Sequence, residues 1–137
     1  MNKVRQFGFT MIELIVVIVV LGILAAVALP KFIDVSGNAK TAALGGVAGA
    51  AASAMTINFS GCAVTQHVPT AGKCVQISNC DQVGTILQGG MPSGYTVATL
   101  PIDGADSAVA NGDEDTCTIT QTNGGATATF TGLAAGN

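Results

Sequence analysis

The chain has 137 residues, enough for one modest domain and an appendage. Hydrophobic residues make up 49% of it and charged residues 9%, which excludes disorder; aromatics are 4% with no tryptophan, so any core is built from small and β-branched side chains. The net charge is −3 and no cluster of Lys or Arg follows Arg5, so the footprint of a nucleic-acid-binding protein is missing.

The first predicted element is an apolar helix. Residues 1–8 carry Lys3 and Arg5 and no acid, and from Leu14 to Leu29 no side chain is polar. Extended back to Phe9, this stretch just crosses a hydrocarbon core of about 30 Å at about 1.5 Å of rise per residue. It reads as a transmembrane helix or as a secretory signal peptide, with Lys3 and Arg5 as the n-region and Ala26-Val27-Ala28 as an A-x-A cleavage pattern. Glu13 within the run, and Pro30 two places past that cut, argue against the signal peptide. Flanking charge leaves orientation open, because Lys31 and Lys40 balance Lys3 and Arg5. The cysteines break the tie. Cys62, Cys74, Cys80 and Cys117 all lie in the polar, Thr- and Gly-rich C-terminal part, as expected of two disulfides in an oxidising compartment. With no C-x-x-C pair and His67 standing alone, disulfides are favoured over a zinc site, and no metal or cofactor is expected.

Glu13 is the anomaly of this segment. A carboxylate at hydrocarbon depth costs about 3 kcal/mol on insertion scales. Two readings stand: Glu13 has a functional partner, or it sits near the headgroups and snorkels.

The run KVRQFGFTMIELIVVIVVLGILAAVALPKF resembles the N-terminus of a type IV pilin precursor. The likeness rests on the short basic leader, Gly8, the stretch Phe9-Thr10-Met11-Ile12-Glu13-Leu14, and the apolar helix with Pro30. The continuation KFIDVSGNAKTAALGGVAGAAASAM, ahead of a cysteine-bearing domain, is similar to the mannose-sensitive haemagglutinin pilins. The resemblance implies that a prepilin peptidase cuts between Gly8 and Phe9 and methylates the new amine of Phe9. It implies further that Glu13 pairs with the Phe9 ammonium of a neighbouring subunit. In a low-dielectric bundle of apolar helices, a subunit in the wrong register leaves both charges unpaired, so such a pair sets register more than affinity.

Pro30 removes a helix hydrogen bond and crowds the preceding turn. Taken alone it ends the membrane helix; the resemblance implies a kink or local loosening and then continuation. Ala39, Ala42, Ala43, Gly46, Ala50 and Ile57 recur at three-to-four spacing, which predicts an amphipathic half-helix over residues 31–57. One face is expected to cover the globular domain and the other to pack on neighbouring subunits. Gly45, Gly46 and Gly49 each cost about 1 kcal/mol of helicity relative to Ala, and they would let a sheet or other helices approach closely.

Beyond it, Lys73–Ile77 is expected as a short strand. Asn79 with Gln82 reads as a capping box opening a short helix that runs to Gln88 and stops at Gly89-Gly90. Tyr95–Leu100 has strand character. Thr116–Thr120 and Ala126–Phe130 alternate with period two around Asn123-Gly124-Gly125, a hairpin signal. The expected fold is α+β, a long helix packed against an antiparallel sheet. The favoured disulfides are Cys62–Cys74, closing a short local loop, and Cys80–Cys117, stapling the small helix to a C-terminal strand; Cys62–Cys80 with Cys74–Cys117 stays open. Asp103, Asp106, Asp113, Glu114 and Asp115 miss the EF-hand spacing and are expected to form a solvated acidic loop, as His67 is expected at the surface.

No catalytic constellation is present, so no enzyme is expected. The expected division is a leader over 1–8, a membrane or filament-core helix over 9–30, the amphipathic half over 31–57, and a disulfide-stabilised β-rich domain over 58–137. The resemblance implies a structural subunit of a bacterial type IV pilus, polymerising into surface filaments for adhesion and surface attachment. It would be held in the inner membrane as a precursor, handled by the prepilin peptidase and assembly machinery, and then built into an extracellular homo-oligomeric filament. The alternatives are a pseudopilin of a secretion system and a soluble secreted domain cut after Ala28.

Overall fold

Thr10 opens the first helix by capping it, and the apolar run then carries it forward. In the computed structural model, which describes residues 8–104 and 108–137, α1 spans Met11–Val64 and passes through Pro30. The helix therefore continues past the proline, and past Ile57 to Val64. The chain divides into two units, one up to Ala39 and the other Lys40–Asn137.

In the first unit the helix is bare. The span Met11–Leu29 has a mean hydropathy of 3.1 and none of it is buried. Among the described residues its β-branched and leucine side chains are exposed.

In the second unit α1 has one buried face. Leu44, Ala48, Ala51, Met55, Asn58 and Cys62 recur at four- and three-residue steps and are all buried. The small residues picked out by spacing, Ala42, Ala43, Gly46 and Ala50, lie with Ile57 on the exposed side instead. The larger side chains Leu44 and Met55 decide which face turns inward, since they bury more apolar area than alanine or glycine. A Cβ placed at Gly45, Gly46 or Gly49 would meet nothing within 4 Å, so the sheet does not make use of these glycines.

The sheet is antiparallel, with strands in the order β1 (Tyr95–Val97), β2 (Glu114–Gln121) and β3 (Thr127–Leu133). β2 and β3 form the expected hairpin. Its turn is closed by N–H donation from Gln121 to the Ala126 carbonyl and from Gly125 to the Gln121 carbonyl, with Gly124 at φ 125° and Gly125 at φ 67°. The inward residues Cys117, Ile119 and Phe130 meet the buried face of α1 together with Ile77, Cys80, Val83 and Ile102 in one core.

Three expected elements come out shorter. Lys73–Ile77 is not a strand; it makes isolated bridges, Thr70 with Cys74 and Ile77 with Ala135. Between them the Asn58 side-chain amide takes the place of a neighbouring strand. Its Nδ2 donates to the Val75 carbonyl at 2.8 Å, and its Oδ1 accepts the Val75 N–H at 2.9 Å. The helix after Asn79 is a 3-10 helix, Cys80–Thr85, and stops short of Gln88. Gly84 inside it weakens helical propensity, while Gln82 Oε1 accepts the N–H groups of Ser78 and Asn79 at its start. β1 ends at Val97 rather than Leu100, because the Leu100 carbonyl accepts the Cys80 N–H and Pro101 has no N–H to offer a ladder.

Candidate functional site

The residues singled out at the N-terminus come together at the start of α1. Gly8, Phe9 and Thr10 precede the helix, outside regular structure and exposed. Lys3, Arg5 and the rest of the leader before Gly8 lie outside the described residues. Phe9, Ile12, Val16 and Val17 surround Glu13 on one open groove of the helix surface. Phe9 is 85% exposed, so the position expected to bear a new amine stands free of the chain's own packing.

Glu13 has a partner three residues before it in the chain. The Thr10 N–H donates to Glu13 Oε2 at 3.0 Å, the Thr10 hydroxyl donates to the same oxygen at 2.8 Å, and the Glu13 N–H donates to Thr10 Oγ1 at 3.3 Å. This is a reciprocal capping box, with Thr10 as N-cap and Glu13 as third helical residue. The signal was present as T-x-x-E ahead of an apolar run. The box needs only the Thr10 N–H, the Thr10 hydroxyl and the Glu13 carboxylate, so a cut between Gly8 and Phe9 leaves it whole. It aims the carboxylate back toward the helix N-terminus, the end at which an amine on Phe9 would lie.

The cysteines pair as Cys62–Cys74 and Cys80–Cys117, with Cα separations of 4.5 and 5.5 Å. The first ties the last turns of α1 to the segment after it, where Gly61 lies so close that a Cβ would overlap the Lys73 carbonyl. The second joins the 3-10 helix to β2 inside the core. Residues at the end of α1 depart from expectation. Gln66 and His67 both have positive φ, 55° and 59°, and the His67 N–H closes the helix onto the Cys62 carbonyl at 2.7 Å. His67 is half-buried rather than at the surface, its ring 5.3 Å from that of Phe59 and its Nδ1 buried without a hydrogen bond.

The acidic segment spends carboxylates on its own backbone. Asp113 Oδ2 accepts the Ala110 N–H at 2.6 Å, and Asp115 Oδ2 accepts the Gly104 N–H at 3.1 Å. Asp106 lies outside the described residues. Among the described residues no group of three His, Cys, Asp or Glu is placed to hold a metal ion.

A long N-terminal helix, bare for its first half and packed on a disulfide-linked antiparallel sheet in its second, is the architecture of a pilin. Residues 3–29 match the family model described as the prokaryotic N-terminal methylation motif. The chain is 36% identical over 126 residues to the type IV narrow pilus major component PilA5 of Thermus thermophilus, covering 92% of this chain and 95% of that one. It is 32% identical over 108 residues to fimbrial protein Q of Moraxella bovis, covering 78% of this chain and 65% of that one. No solved structure matches it. The chain belongs to the type IV pilin family. These relatives favour neither the pseudopilin nor the secreted-domain alternative.

Proposed function

We propose that this chain is the precursor of a structural pilus subunit, held in the inner membrane by residues 9–30 and cut between Gly8 and Phe9 by a prepilin peptidase. The Phe9 amine is then methylated, and residues 9–57 pack with those of other copies into a helical filament at the cell surface, where residues 58–137 serve attachment. N-methylation keeps the amine basic, so the charge opposite Glu13 survives it. Enzymatic chemistry has no part in this reading.

One observation carries it. The Met11–Leu29 span is apolar but for the single carboxylate of Glu13 near its start, and none of it is buried. Such a surface is compatible with lipid, and equally with other helices of the same kind, so transfer from membrane to filament changes its apolar surroundings little. Packing and the charge pair then decide assembly. The small exposed residues Gly45, Gly46 and Gly49 extend the same logic, since missing side chains let helix backbones approach. Pro30 loosens the helix between its two halves by removing one hydrogen bond.

Mass spectrometry of the N-terminus of mature protein tests the processing step. A chain beginning at methylated Phe9 is expected; one beginning at Leu29 would reject the reading in favour of a secreted domain.

A further inference from the structure

The chain contains two Asn-Gly pairs, Asn111-Gly112 and Asn123-Gly124. An asparagine followed by glycine can lose its own carboxamide. The glycine nitrogen is placed to close a five-membered ring onto the side-chain carbonyl carbon, and the missing Cβ leaves that nitrogen unshielded. Two conditions must hold. The carboxamide must be free to turn toward the next nitrogen, and the glycine N–H must be open to solvent so that it can give up its proton.

All four residues are exposed, yet the fold meets these conditions at one pair and denies them at the other. Asn111 Nδ2 donates to the Asn137 carbonyl at 2.7 Å, and Asn111 Oδ1 accepts the Asn137 N–H at 2.9 Å. The Gly112 N–H donates to the Ala134 carbonyl at 2.9 Å. The reacting carboxamide and the reacting nitrogen are thus both held. Asn123 stands at the tip of the β2–β3 hairpin. Among the described residues neither its carboxamide nor the Gly124 N–H meets a hydrogen-bond partner, because the bonds that close the turn take Gln121, Thr122 and Gly125 as donors.

We propose that Asn123 is a site of spontaneous modification by water, converting with time to aspartate and isoaspartate. The Gly124 nitrogen, deprotonated by hydroxide, attacks Asn123 Cγ. A Cγ–N bond forms, the Cγ–Nδ2 bond breaks, and ammonia departs with a proton from water. Water then opens the resulting succinimide. Attack at Cγ breaks the new bond and gives aspartate; attack at the backbone carbonyl carbon breaks the original peptide bond and gives isoaspartate. Water is consumed and ammonia released in equal amounts, and nothing is oxidised or reduced. Each conversion adds one negative charge to a chain already at net −3. The isoaspartate form also inserts a methylene into the backbone of the turn. The turn is exposed throughout, so an older copy differs from a new one at the hairpin tip while its core stays the same. At Asn111-Gly112 three hydrogen bonds must open first, which slows that pair about a hundredfold relative to Asn123.

Incubating the folded full-length chain in detergent micelles at mildly alkaline pH tests this, read by peptide mass spectrometry with fragmentation that separates aspartate from isoaspartate. Asn123 is expected to convert, and Asn111 to lag about a hundredfold. Unfolded in guanidinium, the two pairs are expected to convert at similar rates, because the hydrogen bonds that distinguish them are gone. Asn123→Gln, whose cyclisation needs a larger ring, is expected to keep the tip neutral and to abolish most of the ammonia released by the folded chain. An Asn123 that stays intact in the folded chain while both pairs react in guanidinium would overturn the proposal. So would equal rates at the two pairs in the folded chain, or ammonia release undiminished by Asn123→Gln.

Discussion

Glu13 has one partner within its own chain and a second in the proposed filament. Within its own chain it completes the cap of α1 through Thr10, at 2.8 and 3.0 Å. In a filament, the same carboxylate would face the amine of a neighbour. The T-x-x-E spacing announces the first role in the sequence itself, while the second follows only from the family resemblance. His67 departs from its sequence context. A lone polar residue in a polar stretch is ordinarily exposed, and only the tertiary contact with Phe59 pulls it inward. Gly61 was not legible at all, since its need for a missing side chain comes from the Lys73 backbone pressed against it. Gly61→Ala is expected to destabilise the folded domain by about 1–3 kcal/mol through overpacking, read as a lower denaturation midpoint with unchanged slope. Gly49→Ala, with open space around it, is the control expected to show no such loss.

Among elements, the hairpin was fully legible, because period-two alternation on both sides of Asn123-Gly124-Gly125 admits few other structures. The second half of α1 was legible as a helix but not in its orientation. Small residues at helical spacing mark a face without saying whether the sheet or another molecule covers it, and Leu44 and Met55 settled the matter. Lys73–Ile77 had strand composition without a strand to pair with. Asn58, from α1, supplies both hydrogen bonds that a ladder would have given Val75. Asn58→Leu keeps the volume and removes both. It is expected to cost about 1–3 kcal/mol, because a backbone N–H and carbonyl lose their partners. Amide hydrogen exchange should locate the effect, with protection at Val75 falling while β2 and β3 keep theirs. Unchanged exchange at Val75 would mean the amide is not what orders that segment.

For the whole molecule, composition was the most informative quantity. A chain with so few aromatics builds its second unit from Ala, Ile, Val and Met, and it draws further stability from its disulfides. They are not equal. Cys80–Cys117 spans 37 residues and Cys62–Cys74 spans 12, so chain entropy alone makes the first worth about 1 kcal/mol more. Replacing each pair by alanine is expected to lower thermal stability in that order, with Cys80→Ala plus Cys117→Ala the costlier because both cysteines also lie in the main core. Calorimetry of the two double variants, compared with the wild type, would measure the order, and its reversal would place the main constraint at the end of α1 instead.

The proposed assembly turns on the charge of Glu13 rather than on its shape. Glutamine at the third helical position still completes a capping box, so Glu13→Gln preserves the start of α1 and removes only the charge. Leaving an opposite charge buried without its partner costs about 3–5 kcal/mol, enough to lower filament yield by well over tenfold. Quantifying sheared filaments from cells that hold equal amounts of membrane-inserted wild-type and Glu13→Gln protein is the direct measurement. Loss of filaments with insertion intact is the predicted result; a normal yield from the glutamine variant would contradict the pairing and the assembly mechanism built on it.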